Sequence, residues 1–136
     1  MTSASRWIAS KLDFASIVER RRQNVVYYRK ALKRFAPVNM WGEDFLDSIG
    51  PWALPIVAVG FPNVHVELRK RGIEAFTWGG VIHPRLPLEE FPEAKFLYEN
   101  LVLLPVHQGL TDHDKQYVVD TIKDILESGK DKRKDQ

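Results

Sequence analysis

The residues with the most chemical potential stand close together past the middle of the chain. Trp78 is followed by Gly79-Gly80 and then by Val81-Ile82-His83-Pro84-Arg85-Leu86-Pro87. This run is too rich in proline for regular structure and is expected to be a loop. Trp78 offers a flat apolar face on which a sugar or a base could stack, and Arg85 supplies a fixed positive charge suited to a diphosphate. His83 stands in the same run, flanked by Arg85. Loops carried on a rigid sheet are where binding groups concentrate, so Trp78, His83 and Arg85 form the candidate binding site. The same residues also read as ordinary loop groups.

Other chemistries find little support. His65, His83, His107 and His113 are scattered singly, and no His-Glu-x-x-His spacing occurs, so no metal centre is expected. His65 is expected on a solvated helix face and His113 in the first turn of the last helix. His107 stands at a strand exit, where hydrogen bonding to backbone suits it better than acid–base work. There is no Gly-rich phosphate loop and no nucleophile elbow. The chain has no cysteine, which removes disulfides, thiolate catalysis and thiolate metal sites. With a net charge of only +2, nothing demands an anionic partner. The basic clusters at Arg20 to Arg22 and Lys130 to Lys134 are flanked by carboxylates and lack a nucleic-acid-binding pattern, so no nucleic-acid partner is expected. No apolar run reaches the roughly 18 residues of a membrane span, and the start of the chain lacks the apolar core of a signal peptide. The expectation is a cytoplasmic protein with no membrane partner.

Elements that would position such a loop can be read from periodicity. At 136 residues and 44% hydrophobic, one domain with a real core is expected. Residues 1–12 form a polar arm with an apolar knot at Trp7 and Ile8. Phe14, Val18, Arg21, Val25, Tyr28, Leu32 and Phe35 recur at four and three, which predicts a long helix started by Asp13 or Ser16 and ended by Pro37. Pro37 to Ala53 reads as a long apolar loop carrying Met40, Trp41, Phe45, Leu46 and Trp52. A strand follows over Pro55 to Val59, a helix from Pro62, a left-handed Gly72 with Ile73 closing on Leu68, and a second strand over Ile73 to Trp78. A third helix spans Phe91 to Glu99. Leu101 to Leu104 is a short apolar run suited to a strand buried on both faces, and Pro105 closes it. Thr111 with Asp114 forms a capping-box variant opening a last amphipathic helix. Leu103, Leu104, Val118, Ile122 and Ile125 are expected in one core. The charged tail, 129–136, is expected to be disordered.

Several of these strings resemble one family. Leu103-Leu104-Pro105-Val106-His107 followed by Leu110-Thr111 and an amphipathic helix resembles the C-terminal signature of the DegT/StrS-type sugar aminotransferases, pyridoxal-phosphate (PLP) enzymes of fold type I. Arg21-Arg22-Gln23-Asn24 with Tyr27 or Tyr28 is similar to the family's linker helix. Leu68 to Gly72-Ile73 resembles its helix-to-strand turn. Together the matches span Ser5 to Leu126.

The resemblance implies an α+β small domain over residues 13–128, with a long linker helix and a mainly antiparallel sheet of three or more strands covered by helices. It implies an intact enzyme that moves an amino group, with glutamate as donor, to a keto-sugar nucleotide. His83 would approach the nucleotide sugar at the mouth of the active site, and Trp78 stands where the family commonly has tyrosine. The intact enzyme would be a homodimer. Its PLP lysine, aspartate and phosphate cup would lie in a large domain, and this chain alone is expected to bind no cofactor. A stand-alone, non-catalytic interaction or dimerisation module with the same fold is the alternative.

Overall fold

A computed structural model describes residues 2–35, 37–40, 49–78 and 82–134. Two capped helices lead the chain, α1 (Ser3–Lys11) and α2 (Phe14–Leu32). The Thr2 hydroxyl accepts the Ser5 amide at 3.2 Å, and the Asp13 carboxylate accepts the Ser16 amide at 3.0 Å. Each cap satisfies an amide that the first turn would otherwise leave unpaired. Between the helices Leu12 is extended (φ −89°, ψ 126°) and Asp13 is non-helical. The arm expected over residues 1–12 is therefore helical over Ser3–Lys11, and that helix buries no side chain.

The apolar stripe of α2 engages the core only in its second half, where Asn24, Val25, Tyr28 and Leu32 are buried. Phe14 remains exposed. Val18 instead lies against Gly50, just ahead of Ala53: a Cβ on Gly50 would stand 2.9 Å from a Val18 methyl, and the Arg22 Nε donates to the Ile49 carbonyl at 3.0 Å.

Three strands form an antiparallel sheet in the order β1 (Val38–Met40), β2 (Ala53–Ala58), β3 (Leu101–Pro105). Alternation separates its faces. Leu54, Ile56, Ala58, Val102 and Leu104 point into the main core with Val25, Tyr28, Leu32, Leu68, Val118, Val119, Ile122 and Leu126. Ala53, Leu101 and Leu103, with Val57, form a second cluster on the opposite face. Leu103 therefore does not share a core with Leu104 and Val118, because neighbours along a strand face opposite ways. Both faces of β3 are nonetheless buried, as its unbroken apolar run requires.

The helix α3 (Val64–Lys70) ends as its residues predict. Gly72 adopts φ +79°, and the Ile73 amide reaches the Leu68 carbonyl at 3.1 Å. The strand expected over Ile73 to Trp78 is reduced to one bridge between Phe76 and Leu103. The Ala75 amide bonds the Ile73 carbonyl at 2.8 Å, a tight turn that prevents a continuous ladder. A short 3₁₀ turn (Leu88–Glu90) precedes α4 (Pro92–Asn100), which opens with proline and leads directly into β3.

Two further expectations are revised. Part of the loop from Pro37 to Ala53 is the edge strand β1, while Trp41, Phe45 and Leu46 lie outside the described residues. The last helix, α5 (Asp112–Lys134), continues through most of the tail expected to be disordered. Gly129 lies against the Phe61 ring, where an added Cβ would be 2.9 Å from Cε1. Docking of that turn on an aromatic ring gives the helix a reason to persist that charge composition does not show.

Candidate functional site

The junction of β3 with α5 is built by side chains of the linker helix. Asn24, buried on α2, donates from Nδ2 to the Val106 carbonyl at 3.2 Å and the His107 carbonyl at 3.0 Å. These carbonyls follow Pro105, where the ladder has ended, so a side chain takes over the pairing. Arg21 Nε donates to Gln108 Oε1 at 3.2 Å, and the Tyr27 hydroxyl bonds Gln116 Oε1 at 2.6 Å. Tyr28 packs edge-on against Tyr27, its ring centroid 5.9 Å away. Tyr28 is fully buried with its hydroxyl unpartnered, and burial first, then the Tyr27 and Asp114 charges, push its pKa well above the usual phenol range. Asn24 and Arg21 thus tie this helix to the strand exit, and Tyr27 ties it to α5. The capping box forms as expected: the Thr111 amide and hydroxyl donate to Asp114 Oδ2 at 2.9 and 2.7 Å, while the Asp114 amide reaches Thr111 Oγ1 at 3.2 Å. Those bonds hold the Asp114 carboxyl below the ordinary carboxylate range.

The candidate loop divides into two parts. Trp78, 69% exposed, lines an open cleft of about 510 Å³ with Trp52, Phe76, Thr77 and Leu103, on the sheet face away from α2. The Thr77 hydroxyl donates to the Tyr98 carbonyl at 2.9 Å, which fixes the cleft floor to α4. The Arg69 guanidinium lies 5.8 Å from the centroid of the Phe76 ring. His83 and Arg85 do not line this cleft. They form a turn of their own, in which the His83 Nδ1 accepts the Arg85 amide at 3.2 Å and the Leu86 amide bonds the His83 carbonyl at 2.9 Å. That bond fixes Nδ1 as acceptor, so a neutral His83 carries its proton on Nε2. Both side chains are exposed. Gly79, Gly80 and Val81, between the two parts, lie outside the described residues.

The remaining histidines separate. His107 takes part through its carbonyl, while its ring rests against Gly109, where an added Cβ would meet Nδ1 at 3.3 Å. His65 is half-buried rather than solvated; burial first, then Arg69, holds its pKa below the ordinary value, and its Nδ1 has no partner. Among the described residues no cluster of metal-ligating side chains is present, and no helix is long and apolar enough to cross a membrane.

Comparison with solved structures bears on this arrangement. A sugar aminotransferase from Streptococcus pneumoniae in its PMP form superposes with a TM-score of 0.67 at 19% identity, covering 85% of this chain and 32% of its own. Helicobacter pylori PseC, an aminotransferase involved in the biosynthesis of pseudoaminic acid, gives 0.67 at 20%, covering 82% and 33%. A DegT/DnrJ/EryC1/StrS aminotransferase from Brucella abortus gives 0.62 at 17%, covering 81% and 31%. The chain has the fold of one part of these aminotransferases. It spans about a third of their length. No family model and no curated protein matches the sequence.

Among the described residues Lys115 is the one buried lysine, and its ammonium is held by Asp112 at 2.7 Å and stands 5.0 Å from the Tyr27 ring centroid. Lys70 and Lys95 are paired with Glu67 and Glu89 on the surface. Sequence reasoning left Trp52 in an apolar loop and did not place it, or Arg69, at the candidate site. Trp52 follows a glycine–proline turn without period, so only the bridge from Phe76 to Leu103 brings it beside Trp78.

Proposed function

We propose that the chain is the C-terminal small domain of a PLP-dependent aminotransferase that converts a keto-sugar nucleotide, with glutamate as donor. The observation that carries this reading is the superposition on sugar aminotransferases over 85% of this chain and only 32% of theirs. The lysine, aspartate and phosphate cup that bind PLP would then be supplied by a large domain, and the intact enzyme would be a homodimer. The cofactor supplies the electron sink for moving the amino group. This domain supplies a wall of the substrate cleft. Arg85 is suited to the diphosphate, His83 can donate from Nε2 to a sugar hydroxyl, and Trp78 offers a stacking face.

Sequencing upstream of the Met1 codon tests the reading. A continuous large domain supports it, and a stop codon directly before Met1, with no large-domain gene alongside, refutes it. In the assembled enzyme, His83→Ala and Arg85→Ala are expected to raise KM for the nucleotide sugar several-fold while leaving the cofactor's visible spectrum unchanged. Unaltered kinetics in both variants would return this loop to a surface connection.

A further inference from the structure

The open cleft beside Trp78 is built around Leu103. Trp52 leads into β2, which pairs β3 on one side, and Phe76 bridges Leu103 on the other. Partners across an antiparallel bridge point to the same face, so Phe76 and Leu103 together make an apolar floor. Trp52 and Trp78, 62% and 69% exposed, line the same cleft and leave their ring faces open to a ligand. Its volume of about 510 Å³ is that of a small-molecule site.

Polar chemistry in the cleft is scarce. The Thr77 hydroxyl gives its proton to the Tyr98 carbonyl, and none of the five lining residues carries a charge or a side-chain amide. A sugar ring placed here would trade the water on its hydroxyls for apolar walls, which costs affinity at each one. A nucleobase differs, because it can stack on aromatic rings through its faces while its polar edge stays in water at an open cleft. The cation beside the floor is Arg69, 5.8 Å from the Phe76 ring centroid and paired with no carboxylate among the described residues. That charge favours an anionic ligand. His83 and Arg85 lie outside the cleft. The sugar hydroxyl and the diphosphate assigned to them leave the base as the part of the substrate that the cleft takes.

We propose that the cleft is the base subsite for the nucleotide sugar, and that it grips the base by its faces without reading its edge. The ligand's identity rests on the aminotransferase reading, whereas the manner of the grip rests on the lining residues. Trp52, Phe76 and Trp78 supply stacking, which every base offers alike, so pyrimidine and purine nucleotides bind with similar strength. Selectivity among substrates then falls to the sugar end of the molecule.

The chain has four tryptophans, whose indole N–H signals can be followed one by one in NMR spectra and assigned with Trp52→Phe and Trp78→Phe. Uridine diphosphate and guanosine diphosphate, each titrated into the millimolar range, are expected to shift the Trp52 and Trp78 signals together, with Kd values within about fivefold of each other. Methyl glucoside should shift neither. In the assembled enzyme Trp52→Ala should raise KM for the nucleotide sugar roughly five- to a hundredfold, more than it changes kcat, and Trp52→Phe should restore it. No shift with either nucleotide, or shifts with methyl glucoside instead, would overturn the proposal. So would a preference for one base beyond about thirtyfold, the mark of hydrogen bonds to its edge. An unaltered KM in a transaminating Trp52→Ala enzyme with a lowered Tm would assign the cleft to contact with the large domain, leaving the aminotransferase reading intact. Nucleotide binding by a chain whose gene has no large domain alongside would do the reverse, refuting that reading while the base site stands.

Discussion

Asn24→Ala removes the one side chain that pairs both carbonyls at the β3 exit. The Val106 carbonyl loses a bond made in a buried position, whereas the His107 carbonyl keeps a second donor, the Leu110 amide at 3.2 Å. A buried carbonyl left unpaired costs about 1–3 kcal/mol, and an ordinary hydrogen bond contributes about 0.5–1.5 kcal/mol, so the expected loss is about 2–4 kcal/mol. For a chain of this size that lowers Tm by about 8–16 °C. The urea midpoint should fall by about 1–2 M if the slope is near 2 kcal/mol per M. Asn24→Asp should be worse than alanine at neutral pH, because an ionised carboxylate can only accept and would face two acceptors. Gln23→Ala, which breaks only an exposed bond to Glu19, serves as control and should fall within about 0.5 kcal/mol of the parent. A loss below about 0.5 kcal/mol for Asn24→Ala, equal to that control, would refute the idea that this side chain ties the linker helix to the sheet.

Three further outcomes are expected. Leu104→Ala, at a site with no exposed surface, should cost about 2–5 kcal/mol in urea titrations, and an unchanged midpoint would contradict the placement of β3. Gly129→Ala would stabilise a free helix by about 0.5–1 kcal/mol. Here its Cβ meets the Phe61 ring at 2.9 Å, so thermal melts should show a loss of about 1–3 kcal/mol; a gain would mean that the turn does not dock. Asp112 and Asp114 are held below the ordinary carboxylate value by Lys115 and Thr111 respectively, so their stabilisation is complete above that value and fades as pH falls through it, below about pH 4. Thr111→Val should flatten this acid limb in a series of melts against pH, and an identical limb would assign it elsewhere.

Much of the fold was legible wherever local chemistry decides it. The left-handed Gly72 with its Ile73 to Leu68 closure, the Thr111–Asp114 box and the doubly buried β3 each depend on residues a few positions apart. What escaped depends on distant partners. Val38-Asn39-Met40 is too short to show alternation, and only pairing with Ile56 to Ala58 makes it a strand. Leu103 parted from Leu104 because a strand turns neighbours to opposite faces, which an unbroken apolar run conceals. At the candidate site, the residue types in the loop were readable. The grouping of Trp78 with Trp52 rather than with His83 was not, because it follows from the single bridge at Phe76 and the local turn at Arg85.

The fastening of α2 to the strand exit has a mechanical consequence. Nineteen residues of helix make a rod about 28 Å long, gripped about its middle by Arg21, Asn24 and Tyr27 and capped at Asp13. The rod and the sheet must therefore turn as one body about the short extended joint at Leu12. A tilt of roughly ten degrees at that joint would carry the far end of the rod through about 5 Å, a displacement comparable to one helical turn. Whatever is attached before the joint thus acts on the β3 exit through a lever. The spacing of the caps at Thr2 and Asp13, rather than any residue in the sheet, sets where that lever pivots.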